Sequence, residues 1–476
     1  MIYVILLIVV GFIGYIVYRT LQFKPYEKEN RNVEDVNFDS EQAISNLQKL
    51  IRCKTVSYFN HELEDDKEFA KLIRMLPKLY PNVYKNLELT KFDGRALLFH
   101  WKGKHKGEPA VFMAHYDVVP VDEENWTRPA FEGLIEDNVM WGRGTLDTKV
   151  TFSGILTAAE NLLKQKFKPE HDVYFAFSGG EEVNGPGANN IVQYFAEKNI
   201  TPAFVIDEGG AVVSDVFPGL KQPCGLVGIA EKGYVNMTLS VKSNGGHASA
   251  PKPHTPVGQL SRAVTRIENH PFKMHLTDPV LKMFDRLGRN SSFLYRMIFA
   301  NLWCFSWILD IICKKSGGQL NALVRTTCAF TQATGSEAAN VIPPSASVTA
   351  NLRLNHEDSV ASMQEYIKEV IADDSIEISI SDPAEPSRIS ITDCDGYKYI
   401  TQAIEDTWKG CISAPYLMVQ CSDSKYYGAI SDRVYRFSAY DLTPEELETI
   451  HGNDEHIRIE SLLKSVEFFI RLMKKC

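Results

Sequence analysis

The chain is expected to adopt an α/β fold whose main domain is interrupted by an inserted α+β unit, and three observations lead there. From about residue 40 to 230, short apolar runs alternate with helical stretches such as Lys149 to Leu163, where Ile155, Ala158, Ala159 and Leu162 recur at three- and four-residue intervals. From Gly233 the pattern switches: Tyr234 to Val241 alternates with period two, a helix follows Thr255, and strands recur near Val324 and Val348. Several of the early apolar runs also end in carboxylates or a histidine. Polar groups that terminate the buried strands of an open sheet converge in space although they are distant in sequence.

Four stretches carry those groups: Val111-Phe112-Met113-Ala114-His115-Tyr116-Asp117, Trp141-Gly142-Arg143-Gly144-Thr145-Leu146-Asp147, Val173 to Glu182, and Ala203-Phe204-Val205-Ile206-Asp207-Glu208-Gly209-Gly210. The first, third and fourth are expected to end strands. Side by side, so many buried carboxylates would repel or protonate unless a multivalent cation neutralised them. Imidazole with carboxylate suits zinc, with cobalt and manganese as alternatives, and no Cys-x-x-Cys pair offers a thiolate site. Two metals about 3.5–4 Å apart need a bridging carboxylate and an open position for water. Asp117 lies two residues beyond His115 and is placed to hold its tautomer. Glu181 and Glu182 are adjacent and cannot point the same way, so one can ligate while the other faces the water as general base. Gly142-Arg143-Gly144 lacks the Gly-Lys-Ser/Thr that a phosphate loop requires.

With these motifs in hand, the chain resembles the di-zinc aminoacylase and carboxypeptidase family, and most of all its Gly-Xaa carboxypeptidase (carboxypeptidase S) and N-fatty-acyl-amino-acid hydrolase branch, from about residue 40 to the end. The resemblance implies a zinc-exopeptidase-like catalytic domain with an inserted lid. It implies that His115, Asp147 and Asp207 hold one zinc, that Asp147, Glu182 and His451 hold the other, that Glu181 is the base, and that Asp117 orients His115. It matches the lid histidine to His247 in Asn244-Gly245-Gly246-His247, and the lid asparagine and arginine to Asn340 and Arg353. In the carboxyl-terminal substrate loop Lys425 stands where the family often has arginine, which keeps the charge and loses the bidentate fork. His456 also lies near the end, but a single histidine before Gly-Asn-Asp-Glu selects His451.

The activity this implies is metal-dependent hydrolysis of an amide that releases an amino acid with a free carboxylate, as a Gly-Xaa carboxypeptidase, a dipeptidase or an N-acyl-amino-acid amidohydrolase. An N-fatty-acyl-amino-acid hydrolase/synthase is the alternative. A non-catalytic metal-binding membrane scaffold is disfavoured because no ligand or base is missing. Arg353 would clamp the substrate carboxylate, and His247 would stabilise the oxyanion, either within one chain or from a partner's lid, so a homodimer through the lid is among the arrangements allowed.

Composition bounds the rest. The chain has 476 residues, 44% hydrophobic and 23% charged, which is ordinary for a globular protein of two domains. With a net charge of −9 and no basic aromatic stripe, nucleic acid is not an expected partner. Nine scattered cysteines form no paired framework.

Ile2 to Tyr18 is apolar throughout, roughly 26 Å of helix at about 1.5 Å per residue, enough to cross hydrocarbon. It reads as a single-pass membrane anchor rather than a cleaved leader, since the start carries no basic side chain and Tyr18-Arg19-Thr20-Leu21 is no small-residue exit site. Arg19, Lys24 and Lys28 follow it, which by the positive-inside tendency puts the body in the cytoplasm, whereas the resemblance implies the opposite side. The expected organisation is an anchor (1–20), a tether (21–39), the first part of the catalytic domain (40–232), the lid (233–380) and the second part (381–476). Within the lid, Ser292 to Cys313 is strongly apolar and broken by Arg296 and Asp310. Three readings stand: a buried lid or dimer helix, which is favoured, a second span, or a lipid-accepting surface.

Overall fold

The computed structural model describes residues 1–27, 31–214, 217 and 219–476. Lys28, read above among the basic residues that follow the first helix, lies outside them. The chain begins with helices α1 (Ile2–Gln22), α2 (Ser40–Ile51), α3 (Asp66–Leu79) and α4 (Pro81–Asn86), followed by strands β1 (Glu88–Phe92), β2 (Ala96–Trp101) and β3 (Ala110–His115). A short pair, β4 (Leu134–Glu136) and β5 (Val139–Trp141), precedes α5 (Lys149–Lys164), β6 (Val173–Ser178), α6 (Gly187–Glu197), β7 (Phe204–Val213) and β8 (Cys224–Glu231). Next come β9 (Gly233–Lys242), β10 (Gly246–His247), α7 (Pro256–Asn269), α8 (Asp278–Gly288), α9 (Phe293–Ala300), α10 (Leu302–Ser316) and α11 (Gly318–Val324). They are followed by β11 (Thr327–Thr334), β12 (Val341–Ile342), β13 (Ser345–Leu354), α12 (Val360–Ile371) and β14 (Glu377–Ala384). The last part is α13 (Asp395–Thr407), β15 (Ile412–Met418), β16 (Val434–Leu442), α14 (Pro444–Leu447), β17 (His456–Arg458) and α15 (Ile459–Met473).

The large sheet has eight strands in the order β1-β2-β6-β3-β7-β16-β8-β15. Its centre is parallel: β3 pairs with β6 and β7, and β7 with β16. Helices cover both faces, which is why β3 and β6 read as unbroken apolar runs. Phe112, Ala114, Phe175 and Phe177 face the core shared with α2, α5 and α15, where Leu50, Ile155, Ala159, Val466 and Phe469 pack. Val111, Met113, Tyr174 and Ala176 face Ala188, Ile191 and Phe195 of α6 on the other side. The structure shows the expected α/β class, with a sheet that is mixed and covered on both faces.

A second sheet, β11-β13-β9-β14, is antiparallel. Along β9, Val235, Met237, Leu239 and Val241 are buried against α7 and α12 while the alternate residues are half-buried, the period-two pattern of a sheet with one covered face. The helices α8 to α11 do not join this sheet. Val280, Met283, Phe284, Phe299, Leu309 and Cys313 form a third core with Ala230 of β8 and with Ile412, Tyr416 and Met418 of β15, at the edge of the large sheet. Ser292 to Cys313, favoured above as a buried helix, is two helices bent by 114° about Asn301. Only one side of each is buried: Leu309 and Cys313 point inward, while Phe293, Leu294, Trp303, Trp307, Ile311 and Ile312 are exposed.

Among the described residues α1 is the one unbroken helix long and apolar enough to cross a membrane. It packs on α9, where Asn301 Nδ2 donates to the Ile16 carbonyl and to Thr20 Oγ1, each at 3.3 Å. The stretch read as a tether is fastened to the body. Tyr26 Oη donates to Asp285, Arg31 pairs with Glu405, and Val36 and Phe38 pack against the main core.

Candidate metal centre

The carboxyl ends of β3 and β6 and the loop leading into α5 bring the reactive groups together. His115 is the last residue of β3, and Asp147 precedes α5 by two positions. His115 Nε2 lies 2.9 Å from Asp147 Oδ1, and His451 Nε2 lies 2.9 Å from Asp147 Oδ2. Asp147 thus offers one oxygen to each imidazole, the arrangement of a bridging carboxylate. Glu182 Oε2 is 3.2 Å from His451 Nε2, and its other oxygen is buried with no hydrogen-bond partner. Two sets of ligand atoms could each hold an ion, His115-Asp147-Glu182 and His115-Glu181-Glu208, with the atoms of each set within 4.8 Å of one another.

The adjacent glutamates are positioned by their backbone. After β6, Gly179 and Gly180 lead into a single 3-10 turn, Glu181–Val183. Asp117 is fully buried and accepts from the Glu181 N–H through Oδ1 (3.2 Å) and from the Glu182 N–H through Oδ2 (3.3 Å). The same Oδ1 lies 3.4 Å from His115 Nδ1, whose hydrogen-bond partner at 3.0 Å is the Asp117 carbonyl. Asp117 therefore fixes the imidazole, chiefly through its carbonyl, and both glutamates through its carboxylate.

Of the acidic pair on β7, Glu208 rather than the expected Asp207 is the carboxylate that approaches His115. β7 does not end at the acidic pair but continues to Val213, so Asp207 and Glu208 lie within a strand and point to opposite sides. The ladder to β16 slips there, from Arg436 opposite Asp207 to Phe437 opposite Gly210. Gly209 accommodates the irregularity at φ +146°, where an added Cβ would meet Met418 Sδ at 2.5 Å and Arg436 Cβ at 2.6 Å. Glu208 Oε2 comes within 3.4 Å of His115 Nε2. Asp207 turns instead to the Ser422–Lys425 loop, where its Oδ2 accepts from the Ser424 N–H at 3.0 Å, near the buried Asp423.

The electrostatics show a surplus of negative charge. With protein groups alone, burial and the charge of Asp147 push Glu182 up to about 7. Burial and Asp423 do the same for Asp207, and burial and Asp147 for Glu208, each to about 7. Burial raises Glu181 well above the ordinary glutamate range. Burial opposes ionisation of Asp147 as well, but hydrogen bonds from His115 and His451 hold it well below the ordinary aspartate range. Hydrogen bonds to Asp147 and Glu182 raise His451 to about 10. A cluster in which several carboxylates protonate and the imidazoles over-protonate is one built around missing positive charge. The orphaned Glu182 oxygen and the bridging Asp147 fit the same donor set.

Supporting residues escaped the sequence reading. Glu455 is fully buried and accepts from the backbone N–H groups of Gly144, Leu146 and Asp147 and from Arg143 Nη1 at 2.8 Å. This explains Gly142-Arg143-Gly144, which shapes the loop that presents Asp147. A buried Glu231–Arg436 pair at 2.7 Å, with Ser422 and Ser424 donating to Glu231, anchors the Ser422–Lys425 loop. Glu455 had one prior signal, its place four residues after His451, and the Glu231–Arg436 pair had none.

The lid residues lie apart from the cluster. His247 and Asn340 meet at the two-stranded β10–β12 sheet, where the Ala248 N–H donates to the Asn340 carbonyl at 3.0 Å, and both are exposed. His247 Nδ1 accepts from the Ser249 N–H. Arg353 on β13 reaches the catalytic side: its Nη1 lies 3.4 Å from Cys421 Sγ, beside the loop that carries Lys425, and its guanidinium stacks over Tyr234. Lys425 Nζ donates to Asn184 Oδ1 at 2.8 Å, just beyond the two glutamates. His456 faces away, stacked on Trp141 with its Nδ1 bonded to the Asp454 carbonyl.

Comparison with known proteins places this geometry. Residues 111–475 match the profile described as peptidase family M20/M25/M40. A Dictyostelium discoideum protein named "Probable carboxypeptidase S-like 2" is 34% identical over 98% of this chain and 92% of its own length. The Xenopus tropicalis "N-fatty-acyl-amino acid synthase/hydrolase PM20D1" is 35% identical over 94% of this chain and 89% of its own. Among solved structures, a metallo-carboxypeptidase of Sulfolobus solfataricus shares the fold with a TM-score of 0.67 at 16% identity, covering 91% of this chain and 98% of that one.

Proposed function

The chain belongs to peptidase family M20/M25/M40, and from that premise we propose that it uses two zinc ions to hydrolyse the amide between an acyl group and an amino acid whose carboxylate is free. The observation that carries this is Asp147 shared between two imidazoles, with Glu181, Glu182 and Glu208 around it. His115, Asp147 and Glu208 would hold one metal; Asp147, Glu182 and His451 the other. Bound there, the metals would polarise the scissile carbonyl and acidify a shared water.

The residues of the chain supply the rest. Glu181, raised by burial, accepts the proton of the attacking water and returns it to the leaving nitrogen. Asp117 keeps His115 and both glutamates in register. Arg353 clamps the substrate carboxylate with Lys425 across the same loop, and closure of the 233–380 lid carries His247 and Asn340 toward the carbonyl oxygen, from the same chain or a partner's. α1 serves as a single-pass anchor. Relatives named for carboxypeptidase S and relatives named for N-fatty-acyl-amino acids both align over more than nine-tenths of this chain, so the acyl group spans both substrate classes in the test below.

The test is a screen of the full chain in detergent against N-acyl amino acids of graded chain length, Gly-Xaa dipeptides and their carboxyl-amidated analogues, with and without chelator. Turnover that requires a free carboxylate and vanishes with chelator is expected; chelator-insensitive turnover overturns the reading. Arg353→Ala should lose about 10–100-fold in kcat/KM on free-carboxylate substrates, the worth of one charge-assisted contact, with little change on amidated ones.

The ligand exchange on β7 has its own check. Glu208→Ala should lower bound metal from about two equivalents to about one, while Asp207→Asn retains both. Metal analysis giving the opposite ranking would return Asp207 to the site.

A further inference from the structure

We propose that α9 and α10 form a second membrane contact, lying in the headgroup–acyl boundary of the bilayer that α1 crosses. The inference rests on α1 being a membrane anchor and extends it to an element far away in the chain. Asn301, at the bend between α9 and α10, is fully buried and hydrogen-bonds to Ile16 and Thr20 of α1. Trp303 then packs edge-on against Phe12 and Tyr15, with ring centroids 6.0 and 6.2 Å away. Phe12 is seven residues before Arg19, so Trp303 sits roughly 10 Å inside the level of that charge at about 1.5 Å per residue. Whatever surrounds Phe12 on α1 also surrounds Trp303.

The outer face of the two helices has the composition of an interfacial element. Trp303, Trp307 and Ile311 follow one another at four-residue intervals and are 54%, 61% and 55% exposed. Phe293, Leu294, Tyr295 and Ile312 extend the patch, and Lys314 and Lys315 close α10 at its carboxyl end. Exposed aromatic residues bordered by lysine are characteristic of the membrane boundary. The one acid of α10, Asp310, is turned to the body, where it pairs with Arg325 and Lys314. Neither arm can cross. The longer has 15 residues, about 22 Å against a hydrocarbon thickness of about 30 Å, and the bend turns the two away from a common axis. A second copy of the chain is a poorer occupant, because the patch is continuous with an α1 surface that is apolar on every side and needs a bilayer in any case.

The test reads tryptophan fluorescence from the full chain reconstituted into phosphatidylcholine vesicles brominated either just below the headgroup or near the acyl-chain ends. α1 contains no tryptophan, and the four besides Trp303 and Trp307 are Trp101, Trp126, Trp141 and Trp408 of the body. Quenching by the shallow bromines is expected, with its loss in the Trp303→Phe/Trp307→Phe double variant, which should remain vesicle-bound and fully active. A vesicle-bound protein whose emission no bromine alters would overturn this contact while leaving the anchor intact. Stronger quenching by the deep bromines would overturn it in favour of a broken span. Failure of the full chain to float with vesicles would remove the anchor and this contact together.

Discussion

Glu181→Gln should keep both metal equivalents and lose ~10²–10⁴-fold in kcat, the usual cost of removing a general base. The amide occupies the same space and can still hydrogen-bond, but it cannot accept a proton from water. Glu182→Ala, one residue along the same turn, should show the opposite signature, with metal lost first and activity following. The contrast is meaningful because Asp117 grips both backbone N–H groups, so neither substitution has reason to reshape the turn. Metal analysis beside kcat for the two variants decides it. Loss of metal from Glu181→Gln with retention in Glu182→Ala would exchange their roles.

The second large effect is on stability. Glu455→Ala removes the acceptor for Arg143 and for three backbone N–H groups of the loop carrying Asp147. Burial pushes Glu455 up and Arg143 opposes it, so the carboxylate depends on that guanidinium, which is itself almost fully buried. Breaking a buried pair from one side leaves an uncompensated charge and costs about 3–5 kcal/mol. The measurement is the denaturant midpoint of metal-loaded variants. Arg143→Met/Glu455→Leu should recover only part of the loss, because the N–H groups remain orphaned. A Glu455→Ala midpoint equal to that of the parent would show that the loop carries its own stability.

Much of the site could be read from the sequence because the chemistry is strung on strand ends. His115 and the two glutamates follow continuous apolar runs, and such runs signal buried parallel strands whose carboxyl ends meet. Which of Asp207 and Glu208 turns toward His115 was not legible. It depends on a slip in the β7–β16 ladder at Gly209, and side-chain direction in a strand reverses with every residue. Glu455 was hidden for another reason. Its role is to accept backbone N–H groups, and these carry no side-chain signature. The helices α8 to α11 were assigned to the inserted unit by sequence order, yet they pack against β15, a strand made about a hundred residues later. No local pattern encodes so distant a partner.

The position of β16 has a consequence in time. It lies between β7 and β8, and it is the last strand of the large sheet to be synthesised. Until Val434–Leu442 leaves the ribosome, the stretch of β7 from Val205 to Gly210 lacks the partner it pairs with there, β8 reaching only Val212 and Val213, and His451 and Glu455 follow later still. With α1 as the proposed anchor, a nascent chain would have that helix at the membrane while the rest of the chain remained catalytically silent. Domains generally fold as units in the order they emerge, but here the first-made half must wait for the last-made one. Activity would begin at chain completion, after localisation, and ribosome-stalled chains ending before residue 434 should neither retain metal nor cleave substrate.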